Sequence, residues 1–499
     1  MHDDPAATTP TPVDALPNLL DKAHCAQRAW SAVPLGERVC ALRPVARRAL
    51  ARAEQLASAV HRDTGKPIEE ALLAEVLCFA DVVEYWTQHI ETFLDPTEVE
   101  LDPLIFRGKR GCTHRVARGV IALITPWNYP LIIPARHLIP ALLCGNAVAF
   151  KPSEVTPTIN RQLAELFEGL LPAGLLLTLT GDAALGSALL QQNIDAVSFT
   201  GSTDAGREVA AACARRLVPC SLELGGNDAA IVLADAKLDR AARGIAWGAF
   251  TNAGQNCASI ERAYVERAIA EPFLKELVAV TRTLRPGIDV ARITTEAHAR
   301  KTASQLENAV QSGARVLIGG AVEGDPRDLP PTILRIDNEQ DALLREEIFA
   351  PILPVVVVDN EDDAVARANA SPFGLTASVW TRRVSRGRSL ARRLRAGVVT
   401  VNNHAFTAAL PMAPWSGCGL SGYGVTNSHW ALDGYTRPLF VLVDRSHSAR
   451  ELWWYPYNET LRRLAFAMAR ARGGAALLGR IAAFFALLVL LPKRMFSRG

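Results

Sequence analysis

The sequence predicts an α/β protein with two parallel-sheet lobes and a small separate β element. Three observations carry this. Ala, Leu and Val recur at helical spacing through residues 14–92. From residue 119, short apolar runs alternate with helical stretches. The alternation resumes after residue 225, which makes a second lobe. At roughly 150 residues per domain, a chain of 499 residues has room for about three.

The elements follow in order. Helices run through ERVCALRPVARRALARAEQLASAVHRDTG, and Gly65-Lys66-Pro67 stops one helix and restarts the next. GVIALI, AVAFK, LLTLT and AVSFT read as first-lobe strands, with TINRQLAELFEGLL among the helices between them. AAIVLAD, RAYVE, RVLIGG, PVVVV, TASVWT and GVVTVN are the second-lobe strands. Residues 104–120 and 436–443 fit neither lobe. They read as extended segments that pair with each other or with another subunit.

Composition narrows the function. Hydrophobic residues make up 49% and charged residues 21%, which excludes a disordered chain, a collagen-like chain and a disulfide scaffold. A net charge of +3 is not the balance of a nucleic-acid binder. The charge is uneven: residues 451–499 carry eight Lys/Arg against two Glu, so the body is slightly acidic and the tail basic. The nine cysteines include no C-x-x-C pair and no zinc-type Cys/His spacing. They indicate a reducing, cytoplasmic setting and no metal site. The first dozen residues are acidic and Pro/Thr-rich, without the apolar core of a secretory signal.

Five segments carry candidate chemistry. In AVSFTGSTDAG a strand ends at Thr200, Gly201-Ser202-Thr203 turns, and a helix starts near Ala205 with Gly206 in its first turn. Free amides there suit a phosphate. In AVAFKPSE, Lys151 and Glu154 stand at a strand's C-terminal end, where open α/β sheets bind ligands. Cys257, in TNAGQNCAS, lies among small and polar residues; a helix start beside it would favour thiolate. Glu223, before Gly225-Gly226, is a candidate general base. Asn128, in ITPWNYP, can donate to an oxyanion. Taken singly, each has a plainer reading as a turn, a cap or a packed thiol.

Together and in register, ITPWNYP, KPSE, FTGSTDAG, LELGGN, GQNC and EEIFAP resemble the NAD(P)-dependent aldehyde dehydrogenase superfamily, over about residues 20–445. The resemblance implies a Rossmann-like coenzyme lobe (1–103 and 121–224), a catalytic lobe (225–428), an oligomerisation element (104–120 and 436–446) and a tail (447–499). It implies that Cys257 is the nucleophile, Asn128 an oxyanion donor and Glu223 the base that deacylates. It places the cofactor on Thr125, Pro126, Trp127, Lys151, Ser153, Glu154, Gly201, Ser202, Gly206, Leu224, Gly225, Glu347 and Phe349. Glu154 would repel a 2′-phosphate, so NAD is expected over NADP. The expected assembly is a homodimer. Ala350, Val116-Ala117-Arg118 and Pro414-Trp415-Ser416-Gly417 depart from the family pattern without removing a catalytic group. A CoA-acylating relative and a non-catalytic scaffold are the alternatives; the presence of Glu223 argues against the first, and retention of both Cys257 and Glu223 against the second.

The tail has its own reading. Asn458 caps a helix over about 459–472, which Gly473-Gly474 ends. Residues 475–491 are apolar except for Arg480, and Pro492-Lys493-Arg494 close them. Seventeen residues are short for a span, so residues 475–494 are expected to lie at a membrane surface, with docking on protein as the alternative. The WYPYN segment and apolar tail resemble the class 3-like branch that includes fatty-aldehyde and coniferyl-aldehyde enzymes. The expected substrate is an apolar aldehyde: long-chain, terpenoid or aromatic.

Overall fold

The structure, a computed structural model, describes residues 9–102, 106, 108–322, 324–404, 407–446, 451–474 and 476–496. Expectations that fall on residues 1–8, 103–105, 107, 447–450, 475 and 497–499 lie outside it. Two compact units are formed: Met1–Leu94 with Val116–Arg437, and Asp95–Arg115 with Pro438–Gly499. In chain order the strands are β1 (Thr97–Val99), β2 (Lys109–Ala117), β3 (Val120–Ile124), β4 (Ala147–Lys151), β5 (Leu176–Thr178), β6 (Ala196–Thr200), β7 (Cys220–Glu223) and β8 (Asp228–Val232). They continue as β9 (Ile260–Glu266), β10 (Arg315–Ile318), β11 (Thr332–Arg335), β12 (Ile352–Val358), β13 (Thr376–Trp380), β14 (Val398–Val401), β15 (Gly422–Tyr423) and β16 (Thr436–Asp444).

The larger unit holds two sheets. The first has the order β15-β7-β6-β3-β4-β5, parallel except for β15 against β7. The second has the order β10-β11-β12-β9-β8-β13-β14, parallel except for β10 against β11. β3, β4, β6 and β8 read as largely apolar runs because they are covered on both faces. The chain runs β3→β4→β5 to one side of β3 and returns as β6 on the other. The carboxyl ends of β3 and β6 therefore flank a switch point, where such sheets open a ligand crevice.

The N-terminal helices Leu16–Ala32, Leu35–Leu42, Pro44–Ala51 and Ala53–Thr64 stand where helical spacing placed them. Gly65 ends the last of them at φ 75°, a left-handed value that costs glycine little. Beyond Pro67 the chain is helical from Ile68 to Leu94, widened by a π turn over Leu72–Leu77. That turn points Glu75 inward, where Lys66 Nζ meets its Oε1 at 2.7 Å with both side chains wholly buried.

The smaller unit contains a three-stranded sheet, β1-β2-β16, so the two extended segments pair within one chain. Its tail differs from expectation in two places. The helix capped by Asn458 runs Glu459–Ala469 and passes through a π turn, Arg470–Gly474, with Gly473 at φ 129°. The next helix, Leu477–Phe496, does not stop at Pro492 but continues past it. Arg494 explains the continuation. It is buried, and its guanidinium donates to the carbonyls of Leu452, Trp454 and Pro456. The expected basic flank thus loses Arg494 to the protein's own interior.

Breaking one half of a buried ion pair leaves an uncompensated charge, at about 3–5 kcal/mol. Lys66→Met should therefore lower the denaturant midpoint clearly. Arg300→Ala, which opens the exposed Arg300–Glu296 pair, should leave it nearly unchanged. Equal midpoints for the two variants would show that Lys66–Glu75 does not hold the fold.

Candidate active site

The turn after β3 is built from outside. The Asn128 carbonyl accepts from Lys66 Nζ at 3.0 Å and from Asn252 Nδ2 at 3.0 Å. Lys66 Nζ also lies 3.8 Å from the centre of the Tyr129 ring. Glu75 Oε2 accepts from the amides of Leu131 and Ile132, both at 3.0 Å, at the start of the helix Ile132–Leu143. The Asn128 side chain is buried, with Nδ2 donating to Gln255 O at 3.1 Å and Oδ1 unpartnered.

Cys257 is presented by an unusual backbone. Asn252, Ala253 and Gly254 all have positive φ, at 50°, 55° and 68°. Such a run costs free energy at Ala253 and must be held from around. Glu70 accepts from Thr251 Oγ1 and Asn252 N. Gln255 donates to Asn252 O and Arg292 O, and accepts from Thr294 N. A Cβ at Gly254 would lie 2.2 Å from Ala350 O, so only glycine fits.

No helix begins at Cys257; the chain enters β9 three residues later, and the helix-dipole expectation is not met. Burial pushes the thiol up to about 12, with Arg136 pulling it back and Glu223, Asp228 and Glu347 adding to the rise. The resting group is a thiol.

Glu223 closes β7. Its carbonyl accepts from Gly201 N at 3.1 Å, which ties it to the turn after β6. Its carboxyl is raised by burial, opposed by Arg136. Arg136 Nη2 lies 3.4 Å from Glu223 Oε2, and His137 Nε2 lies 3.7 Å from Oε1.

A cavity of about 240 Å³ gathers these groups. Asn128, Glu223 and Cys257 line it together with Pro126, Trp127, Gly201, Ser202, Leu224, Gly225, Glu347 and Phe349. Trp127 meets the Phe349 ring edge-on at 5.9 Å. Ser202 caps the helix Thr203–Arg216, accepting from Ala205 N. A Cβ on Gly225 would sit 2.2 Å from the Glu347 carboxyl, so the glycine keeps that edge open. Glu347 accepts from Gly226 N at 3.2 Å and is pushed up to about 8, by burial first and then by Glu261.

A second cavity, about 390 Å³, is lined by Lys151, Glu154, Ile124, Phe199 and Val209 among others. Lys151 Nζ pairs with Glu154 Oε2 at 2.8 Å. Thr125, Ser153 and Gly206 line neither cavity. Thr125 N bonds Lys151 O. The Ser153 carbonyl accepts from Asn160 Nδ2. A Cβ on Gly206 would strike Leu224 at 2.4 Å, which makes that glycine a packing requirement.

Sequence reasoning missed Lys66, Glu70, Glu75, Arg136 and Gln255 as the supports of this site. One signal was available: Arg136-His137 interrupt an otherwise apolar helical run, LIIPARHLIPALL, and a buried charge needs a partner.

The arrangement suits covalent chemistry at a thiol beside a ligand bound across the switch point. The profile of the aldehyde dehydrogenase family matches residues 8–441. The chain is 34% identical over 444 residues to a 4,4'-diapolycopene aldehyde oxidase of Methylomonas sp, covering 88% of this chain and 83% of that protein. It is 36% identical over 436 residues to betaine aldehyde dehydrogenase 2 of Rhizobium meliloti, covering 84% of this chain and 88% of that one. Among solved structures, an NAD-dependent aldehyde dehydrogenase from Sinorhizobium meliloti superposes with a TM-score of 0.84 at 32% identity, covering 89% of each chain.

Because its form at rest is the thiol, Cys257 should react slowly with iodoacetamide at pH 7. Thiolate grows as pH rises towards the raised value, so peptide-resolved alkylation of Cys257 should still be climbing above pH 9. A plateau below pH 8 would contradict the burial argument.

Proposed function

The chain belongs to the aldehyde dehydrogenase family, and from that premise we propose that it oxidises an apolar aldehyde to the carboxylic acid through a thioester on Cys257, with NAD as cofactor. The observation that carries this is one cavity lined at once by Cys257, Asn128 and Glu223.

The residues fit the cofactor. Gly225 leaves room that a Cβ would fill, and the buried Thr200 Oγ1, on the cavity wall, has no partner. Ser202 and the helix amides behind it would hold the pyrophosphate. Lys151 and Glu154 would hold the adenosine ribose, and Glu347 and Phe349 the nicotinamide end. When bound, NAD supplies the acceptor for the hydrogen and electron pair of the aldehyde C–H bond.

The chain's own groups do the rest. Cys257 gives up its proton to solvent and adds to the carbonyl carbon. Asn128 Nδ2 and the Cys257 amide donate to the oxyanion, each worth about 3–4 kcal/mol in such sites. The oxidised carbon remains bonded to sulfur as a thioester. Glu223, as the carboxylate, takes a proton from water as the hydroxyl adds to the acyl carbon. The C–S bond breaks, and the acid leaves. Glu154 would repel a 2′-phosphate, which supports NAD over NADP.

Apolar substrates are supported by the buried apolar cluster of Ala258, Leu375 and Trp415, against which Cys257 packs. A relative named for 4,4'-diapolycopene aldehyde supports the same reading. The tail adds a membrane surface. On the helix Leu477–Phe496, exposed Leu477, Leu478, Ile481, Phe484, Phe485, Leu488 and Val489 fall within one stripe of about 140° at 100° per residue. Arg480 and Lys493 stand at its two margins. Trp453, Trp454, Tyr455 and Tyr457 are exposed in the same unit. Among the described residues no helix is long and apolar enough to cross a membrane, so the stripe would lie flat. Exposed Leu439 to Val443 on the edge strand β16 offer a pairing edge for a homodimer.

Cys257→Ala should abolish NADH formation from decanal while leaving NAD binding, read by calorimetry; near-normal turnover would remove the nucleophile from the account. Truncation after Gly474 should end flotation with anionic liposomes and lower activity on long aldehydes more than on short ones. Unchanged flotation and chain-length preference would exclude the tail as an anchor.

A further inference from the structure

The helix Ile132–Leu143 is buried along its whole length, yet it carries Arg136, 2% exposed, beside Glu223. A buried guanidinium is expensive unless its position is used. Two contacts fix this one. Arg136 Nε donates to Asn427 Oδ1 at 3.3 Å, and the guanidinium carbon lies 5.6 Å from the centre of the Trp415 ring. Asn427 is itself held, at φ 64°, by donating to the carbonyls of Ala408 and Leu410. The free edge of the guanidinium, Nη2, has no hydrogen-bond partner and faces Glu223 Oε2 at 3.4 Å.

Among the described residues no Lys or Arg other than Arg136 pairs with Glu223, although Lys301 lines the same cavity. His137 faces Oε1 at 3.7 Å, but burial drives its imidazole down to about 3, so it is neutral. Its Nδ1 is taken by Tyr435 Oη at 2.8 Å and Ser198 Oγ at 2.9 Å. Tyr435 and Cys257, the other titratable groups that interact with Glu223, are both raised and neutral at rest. Arg136 alone opposes the burial of Glu223, and it is the first group to pull Cys257 down.

We propose that Arg136 is the positioning residue of the deacylating base: clamped by Asn427 and Trp415, it holds the Glu223 carboxylate ionised and parked inside the protein between turnovers. The 3.4 Å gap and the unpartnered Nη2 make this a loose hold, one that orients the carboxylate yet lets it leave to meet water at the thioester. The proposal rests on Glu223 acting as the base in the reaction above.

The test is the pH dependence of deacylation, measured as the steady-state rate after the NADH burst, with decanal and NAD. The working form of Glu223 is the carboxylate, so losing the cation moves the acid limb to higher pH. Arg136→Met should shift that limb up by one unit or more, lower the rate at least tenfold at pH 7, and recover most of it by pH 9. Arg136→Lys should keep the limb near its original place. If Arg136→Met does not fold, Asn427→Gly, which frees the guanidinium but keeps its charge, should give a smaller upward shift. A loss that pH does not reverse would overturn the proposal. So would a rise in KM alone with the limb unmoved, which would make Arg136 a substrate contact. If Cys257→Ala retains turnover, the underlying reaction scheme fails instead, and the two failures are separable.

Discussion

Lys66 and Glu75 form an ion pair with no exposed atom in either side chain, and the active site is assembled from it outward. Its remaining bonding capacity is spent on one turn: Lys66 on the Asn128 carbonyl, Glu75 on the amides of Leu131 and Ile132. The turn then passes the constraint on. Asn252 Nδ2 bridges the carbonyls of Asn128 and Gln255, and Asn128 Nδ2 meets the same Gln255 carbonyl. Gln255 stands two residues from Cys257. The N-terminal helices thus set the positions of Asn128 and Cys257, the proposed oxyanion donor and nucleophile, through one bonded chain. A buried pair is weak evidence for net stability, since hydrophobic replacement often does as well. Here its return is geometric: it fixes a turn that apolar packing would leave free to shift.

The site also concentrates carboxyls. Asp228 and Glu347 are each pushed up to about 8 and Glu261 to about 7, with burial the first cause in every case. Each is held by donors. Asp228 accepts from Thr376, and Glu261 from Ile348, Phe349 and Asn227. The burial that raises them raises the Cys257 thiol too, and Asp228 and Glu347 add to that rise, which disfavours the thiolate and its oxidation. Such a low-dielectric setting amplifies every charge in it. One arginine therefore matters more here than at the surface, where the many Arg–Asp pairs of this chain sit.

Much of this was legible in the sequence where the pattern is local. The strand before Thr125 is an unbroken apolar run, the one before Gly201 is largely apolar, and the helix cap at Ser202 and the stop at Gly65 are single-residue signals. β11 was not read. It is only four residues long and directly follows Pro330-Pro331. β7 was not read either, because Cys220 and Ser221 dilute its apolar character. The supports of the site were illegible for another reason. Lys66 and Asn128 are 62 residues apart, and Arg136 and Asn427 are 291 apart. No spacing rule connects such pairs; only the fold does. The tail shows the limit of composition. Arg494 looks like a solvated flank but closes onto three carbonyls of its own chain.

The proposed reaction passes through a thioester at Cys257 that Glu223 must clear. Glu223→Gln removes the base while keeping shape, so the measurement is mass spectrometry of that variant after mixing with NAD and decanal. One NADH per site should appear in a burst, followed by slow release, and the trapped acyl group should map to the Cys257 peptide. An absent adduct, or an acyl group on another of the nine cysteines, would contradict it.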